Sequence, residues 1–102
     1  MLNGQVALVT GSTSGIGLGI AAALAEVGAD VMLIGFGDAA EIERQRSELA
    51  ERTDVRVLHA GVDMARSHEI ATMVRDVERL LGRVDILVNN AGIAGLTVLR
   101  EG

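Results

Sequence analysis

The chain has no cysteine, no lysine, no tyrosine and no tryptophan. Without cysteine there is no disulfide framework, no thiol nucleophile and no cysteine metal site. Without lysine no Walker-type phosphate loop can be built, because that loop sets a lysine on the phosphates. A single aromatic ring, Phe36, leaves Val, Ile, Leu and Ala to fill the core. Basic runs are absent too. The nine cations are scattered arginines and the formal net charge is −5, which argues against nucleic acid as a partner. The N-terminus has no charged n-region, and its apolar run is too short for a signal peptide or a membrane span. No membrane partner is expected, and a cytoplasmic location is.

What is present is an alternation of strand and helix signals over 102 residues, enough for one small domain with a modest core. Residues 5–10 read as a buried strand, because Val6, Ala7, Leu8 and Val9 are apolar on both faces. Residues 15–28 read as a helix rich in small side chains (Gly17, Gly19, Ala21, Ala22, Ala23, Ala25), which lets it lie close on a sheet, with Gly28 as its C-cap. Residues 30–35 form a second strand. Asp38 is placed to cap a second helix running to about Arg52, with Glu41 completing a capping box. Residues 55–60 form a third strand. Ser67 caps a third helix ending at Gly82, with Ile70, Met73, Val74, Val77, Leu80 and Leu81 on one face. Residues 85–89 form a fourth strand. The pattern predicts a partial doubly wound α/β (Rossmann) fold: a parallel sheet of four strands in the order 3-2-1-4, joined by right-handed helical crossovers. Ligand then binds at the carboxyl ends of the strands, where residues 11–17, 35–38 and 89–92 lie.

The first of those loops, Gly11-Ser12-Thr13-Ser14-Gly15-Ile16-Gly17, is a phosphate-loop candidate. A glycine-rich turn between strand and helix lets backbone N–H groups approach a pyrophosphate at a helix N-terminus. The G-x-G-x-x-G form of this turn does not fit, since Ile20 stands where its last glycine belongs. A nucleophile elbow does not fit either, since Thr13 occupies the central position that needs serine.

Thr10-Gly-x-x-x-Gly-Ile-Gly17, Asp63 after the third strand and Asn89-Asn90-Ala91-Gly92 after the fourth resemble the short-chain dehydrogenase/reductase family. Gly35-Phe36-Gly37-Asp38-Ala39-Ala40-Glu41 and Asp63-Met64 are similar to its bacterial 3-hydroxybutyrate dehydrogenase branch. The resemblance runs from Met1 to about Ile93, the NAD-binding half of a family member. It implies that Gly11, Thr13, Ser14, Gly15 and Ile16, with Gly17, line the pyrophosphate and nicotinamide side. It implies that Phe36 flanks the adenosine, that Asp63 bonds the adenine amino group beside Met64, and that Asn90, Ala91 and Gly92 lie under the cofactor ribose and steady the sheet. The alternatives are a core position for Phe36, a solvated turn for Asp63 and local turn bonding for Asn89 and Asn90.

Cofactor choice follows from charge. A 2′-phosphate needs a cation near the end of the second strand, and residues 30–43 contain none, so NAD is favoured over NADP. Asp38 reads as a helix cap. His59 reads as a satisfied core or edge residue and His68 as a solvated one, with no metal-ligand spacing between them. In the resembled enzymes a serine and a tyrosine–lysine pair carry out hydride transfer between a small hydroxy acid and the nicotinamide. None of the three is supplied here, so no catalytic residue is assigned. The expectation is a chain that binds the dinucleotide without turnover by itself, a non-catalytic module, or a truncated product without function. Residues 94–102 depart from the family pattern and read as a loop stub or a truncated tail. The outer edge of the fourth strand is expected to be bare and to invite self-association.

Overall fold

The structure, a computed structural model, describes residues 1–61, 67–90 and 95–98, with backbone alone at 67–70 and 95–98. The elements are β1 (Val6–Thr10), α1 (Gly15–Glu26), β2 (Asp30–Ile34), α2 (Ala39–Thr53), β3 (Val57–Ala60), α3 (Ser67–Leu81), β4 (Ile86–Asn89) and β5 (Gly95–Val98). The sheet order is β3-β2-β1-β4-β5. The first four strands are parallel in the expected 3-2-1-4 arrangement. Among the described residues no helix is long and apolar enough to cross a membrane.

β5 corrects the expectation of a bare edge on β4. It pairs antiparallel with β4, Val88 opposite Leu96 and Ile86 opposite Val98. The physical reason is that unpaired strand groups favour any chain able to bond them, and Leu96-Thr97-Val98 is a β-prone sequence.

Each face of the sheet has its own core. On one face Ala7, Val9, Val31, Leu33, Val57, Ile86 and Val88 meet Ala21 and Ala25 of α1 and Leu49 of α2. On the other, Val6, Leu8, Met32 and Ile34 meet Met73, Val77 and Leu81 of α3, with Val84. β1 is buried on both faces throughout, which is why its sequence is apolar without alternation. Gly17, Ala21 and Ala25 form the buried stripe of α1, four residues apart, so the helix axis comes close to the sheet. Gly28 closes the helix as expected: its N–H bonds the Ala25 carbonyl at 3.0 Å and the Ala29 N–H bonds Leu24 at 3.1 Å, the paired bonds of a Schellman end.

Three details differ from the sequence reading. Leu80 is 68% exposed while Met73, Val77 and Leu81 are buried, because Leu80 falls at the rim of the stripe those three define. Ser67 is the first helical residue of α3, where it was expected as the cap. At α2, the Asp38 carboxylate accepts the Glu41 N–H at 3.0 Å, as a cap should. The Glu41 carboxylate turns to Arg44 and Gln45, so the return half of the capping box gives way to a charged partner one turn along.

Candidate functional site

The carboxyl ends of β1, β2 and β4 meet at one end of the sheet, and side chains of the first loop tie the three together. Thr10 ends β1. Its hydroxyl donates to Asn89 Oδ1 at 3.1 Å and accepts the Asn90 N–H at 2.8 Å. The Asn90 amide then donates to the Gly11 carbonyl at 3.3 Å. Asn90 therefore steadies the sheet, as expected of it. Ser12, fully buried, does the same toward β2. Its hydroxyl donates to the Val9 carbonyl at 2.6 Å and accepts the Ile34 N–H at 2.9 Å, and its own N–H bonds the Ile34 carbonyl at 3.1 Å. The Thr13 hydroxyl reaches the Phe36 carbonyl at 2.9 Å.

Gly17 shows why a residue without a side chain stands there. A Cβ would overlap the Gly11 carbonyl oxygen and lie 2.7 Å from Asn90 Nδ2. The start of α1 thus sits directly on the loop that leaves β1. The N-terminus of that helix is open. Ser14 caps it in extended conformation without a side-chain bond, and no acidic residue lies in the first turn. First-turn N–H groups have no intrahelical partner, and with the helix dipole they form a place for an anion. Ser14 and Gly15 are exposed beside it, and Ile16 is 78% exposed.

Phe36 is 65% exposed, so its alternative as a core aromatic does not hold. The ring rises from the loop after β2, on the same rim. Asp38 caps α2, as its sequence position implied. The nearest cation after β2, Arg44, is held between Glu41 and Glu48. Hydrogen bonding from Arg44 keeps the Glu41 carboxyl below its usual range, and Arg46 does the same for Glu43. His59 is exposed at the edge strand, its Nε2 2.9 Å from the Gly35 carbonyl. Among the described residues no group of His, Asp or Glu could hold a metal.

Of the sequence-predicted site residues, Gly11, Thr13, Ser14, Gly15, Ile16, Gly17, Phe36 and Asn90 come to this rim. Asp63, Met64, Ala91 and Gly92 lie outside the described residues. Sequence reasoning missed the anchoring hydroxyls of Thr10 and Ser12; their place inside the motif marks them without naming their partners. A groove of about 240 Å³ between α1 and α2, lined by Leu18, Ala22, Gln45, Glu48, Leu49 and Arg52, shares no residue with these loops and stands apart from the rim.

Comparison with known proteins agrees with this geometry. The sequence model of the short chain dehydrogenase family matches residues 5–101. The D-β-hydroxybutyrate dehydrogenase of Cupriavidus necator is 49% identical over 102 residues, which is 99% of this chain and 38% of that enzyme. The enzyme of the same name from Rhizobium meliloti is 48% identical over 89 residues, covering 87% of this chain and 34% of its own. Among solved structures, L-sorbose reductase of Gluconobacter frateurii, complexed with NADPH and L-sorbose, superposes with a TM-score of 0.78 at 38% identity, covering 98% of this chain and 38% of that one. The chain thus spans under two fifths of the length of these curated relatives. Family match, identity and fold agree: the chain belongs to the short-chain dehydrogenase family.

Proposed function

We propose that these residues are the NAD-binding half of a dehydrogenase acting on 3-hydroxybutyrate. The observation that carries the nucleotide reading is the open N-terminus of α1, set on Gly11 through Gly17 and tied to β2 and β4 by Ser12, Thr10 and Asn90. A dinucleotide's pyrophosphate suits that position, because the N–H groups and the dipole both favour negative charge. Gly11, Thr13, Ser14, Gly15, Ile16 and Gly17 hold the phosphates and the nicotinamide side. Phe36 walls the adenosine, with Asp63 and Met64 at the adenine and Asn90, Ala91 and Gly92 beneath the ribose. NAD supplies a hydride acceptor at the nicotinamide ring.

NAD is preferred to NADP on charge. No cation stands between Asp30 and Glu43, and Arg44 is neutralised by two glutamates. The substrate reading rests on the two relatives named D-β-hydroxybutyrate dehydrogenase. The 102 residues contain neither tyrosine nor lysine, so by themselves they bind without turning over.

Fluorescence titration with NADH and NADPH tests this. Saturable binding with NADH at least about tenfold tighter is expected, since a tenfold ratio needs only about 1.4 kcal/mol. Oxidation of 3-hydroxybutyrate by the isolated chain is not. Absence of saturable binding to either nucleotide overturns the nucleotide reading, and turnover overturns the non-catalytic one.

A further inference from the structure

Phe36 is the chain's one Phe, Tyr or Trp ring, and it stands mostly in solvent. The backbone beneath it is fastened from two sides. The Gly35 N–H donates to the Ala60 carbonyl at 3.2 Å. The Gly35 carbonyl lies 2.9 Å from His59 Nε2 on β3. The Phe36 carbonyl accepts the Thr13 hydroxyl at 2.9 Å from the first loop. A carbonyl oxygen only accepts, so His59 Nε2 is the protonated nitrogen and the Thr13 proton is committed here. Gly35 has φ +156°, and a Cβ there would lie 2.9 Å from Thr13 Oγ1. The ring edge overhangs Gly61, where a Cβ would be 3.8 Å from Cδ1 and Cε1.

We propose that Thr13 and His59 are positioning residues for the adenosine half of the dinucleotide. By holding the Phe36 and Gly35 carbonyls they present the Phe36 ring as a fixed apolar wall for adenine. The inference rests on the nucleotide reading above, gives Thr13 a second role in it and adds His59, both acting through the backbone. Thr13 thereby joins the phosphate loop to the adenine wall, so the two halves of the ligand meet one rigid rim. Pre-setting that rim removes ordering that binding otherwise has to supply.

The test is a titration with AMP, which carries the adenosine and one phosphate. Phe36 ring protons are followed by NMR, where only the two histidines add other aromatic side-chain signals. AMP should shift the Phe36 resonances saturably in the wild-type chain. Thr13→Val and His59→Leu should each weaken AMP about three- to tenfold, the scale of one net hydrogen bond. Thr13→Ser and His59→Gln, which keep a donor, should restore it. His59 is exposed, so its variants serve even if Thr13→Val fails to fold. AMP affinity within about twofold of wild type in His59→Leu overturns the role of His59, and the same result in Thr13→Val that of Thr13. Unmoved Phe36 resonances in a chain that binds NADH overturn the adenine wall while leaving the nucleotide reading intact. Failure of the wild type to bind NADH removes both.

Discussion

Asp85 and Val6, 79 positions apart in the chain, exchange two hydrogen bonds. The Val6 N–H donates to Asp85 Oδ2 at 2.8 Å and the Asp85 N–H donates to the Val6 carbonyl at 2.9 Å. Asp85 is 1% exposed, and Arg83 clasps its carboxylate from the solvent side, Nε to Oδ2 at 2.8 Å. Donating to Asp85 raises the Arg83 pKa further. This pairing fixes where β4 begins against β1, at the opposite end of the strands from the loops proposed to hold the dinucleotide.

Asp85→Ala should therefore destabilise the fold without touching the rim. It leaves the buried Val6 N–H without its acceptor, a cost of about 1–3 kcal/mol. Asp85→Asn keeps an acceptor oxygen and should lose less. Urea unfolding checks the order. Equal losses for the two variants would assign the effect to the carboxylate charge, and no loss in Asp85→Ala would contradict the pairing.

Gly17→Ala should damage both stability and binding. The new methyl meets the Gly11 carbonyl and the Asn90 amide, neither of which is a free end. Overpacking of this kind costs about 1–3 kcal/mol, and moving α1 off the loop displaces its N–H groups. NADH binding should fall by about tenfold or more, read by titration beside a thermal melt. A variant with wild-type melting and binding would mean that the loop yields easily.

How far these relationships could be read in advance depended on their range along the chain. The stripe Gly17, Ala21, Ala25 and the Asp38 cap are local, and both were legible from spacing. The strand order was legible because helical crossovers leave parallel strands few arrangements. The anchoring by Thr10 and Ser12 was not, because their partners lie about 80 and 22 positions away and a hydroxyl inside a motif does not announce whom it bonds. β5 was missed for a different reason. Four residues are too few to separate a strand from a loop by periodicity, and only the free edge of β4 gives them a partner. For Phe36 the family resemblance points to the cofactor and the residue type to the core as the alternative, and its 65% exposure removes the core.

Acid should loosen α2 in part through Glu41. Hydrogen bonding from Arg44 lowers its pKa from the ordinary 4.5. A lowered folded value means that the ionised form favours the fold. The contribution is complete above pH 4.5 and is lost as pH falls below it through the lowered value. Glu41 is solvent-exposed, so the effect is modest and shrinks in salt of about 1 M, where the Debye length is roughly 3 Å. Glu41→Gln should flatten the acid limb of a pH–melting curve at low salt. An unchanged limb would place the acid sensitivity in another carboxylate.

Phe36→Arg should exchange one cofactor preference for the other. The proposed preference for NAD rests on the lack of a cation between Asp30 and Glu43 in the sequence and on Arg44 being held by Glu41 and Glu48, and Phe36 stands two residues past the end of β2. The side chain is already in solvent, so replacing it opens no cavity. A guanidinium there meets a 2′-phosphate with charge-assisted bonds, while NADH loses the apolar wall and gains nothing. NADPH affinity should rise by about tenfold, the return on roughly 1.4 kcal/mol, and NADH affinity should fall. Parallel titrations of the two nucleotides measure the ratio directly. If NADH weakens and NADPH does not improve, Phe36 faces the adenine ring and the 2′-hydroxyl lies beyond its reach, so the charge that sets cofactor choice must be sought in Asp38 and Glu41. If neither nucleotide responds, the ring is no part of the site, and the rim formed by Gly11 through Gly17 holds the ligand without it.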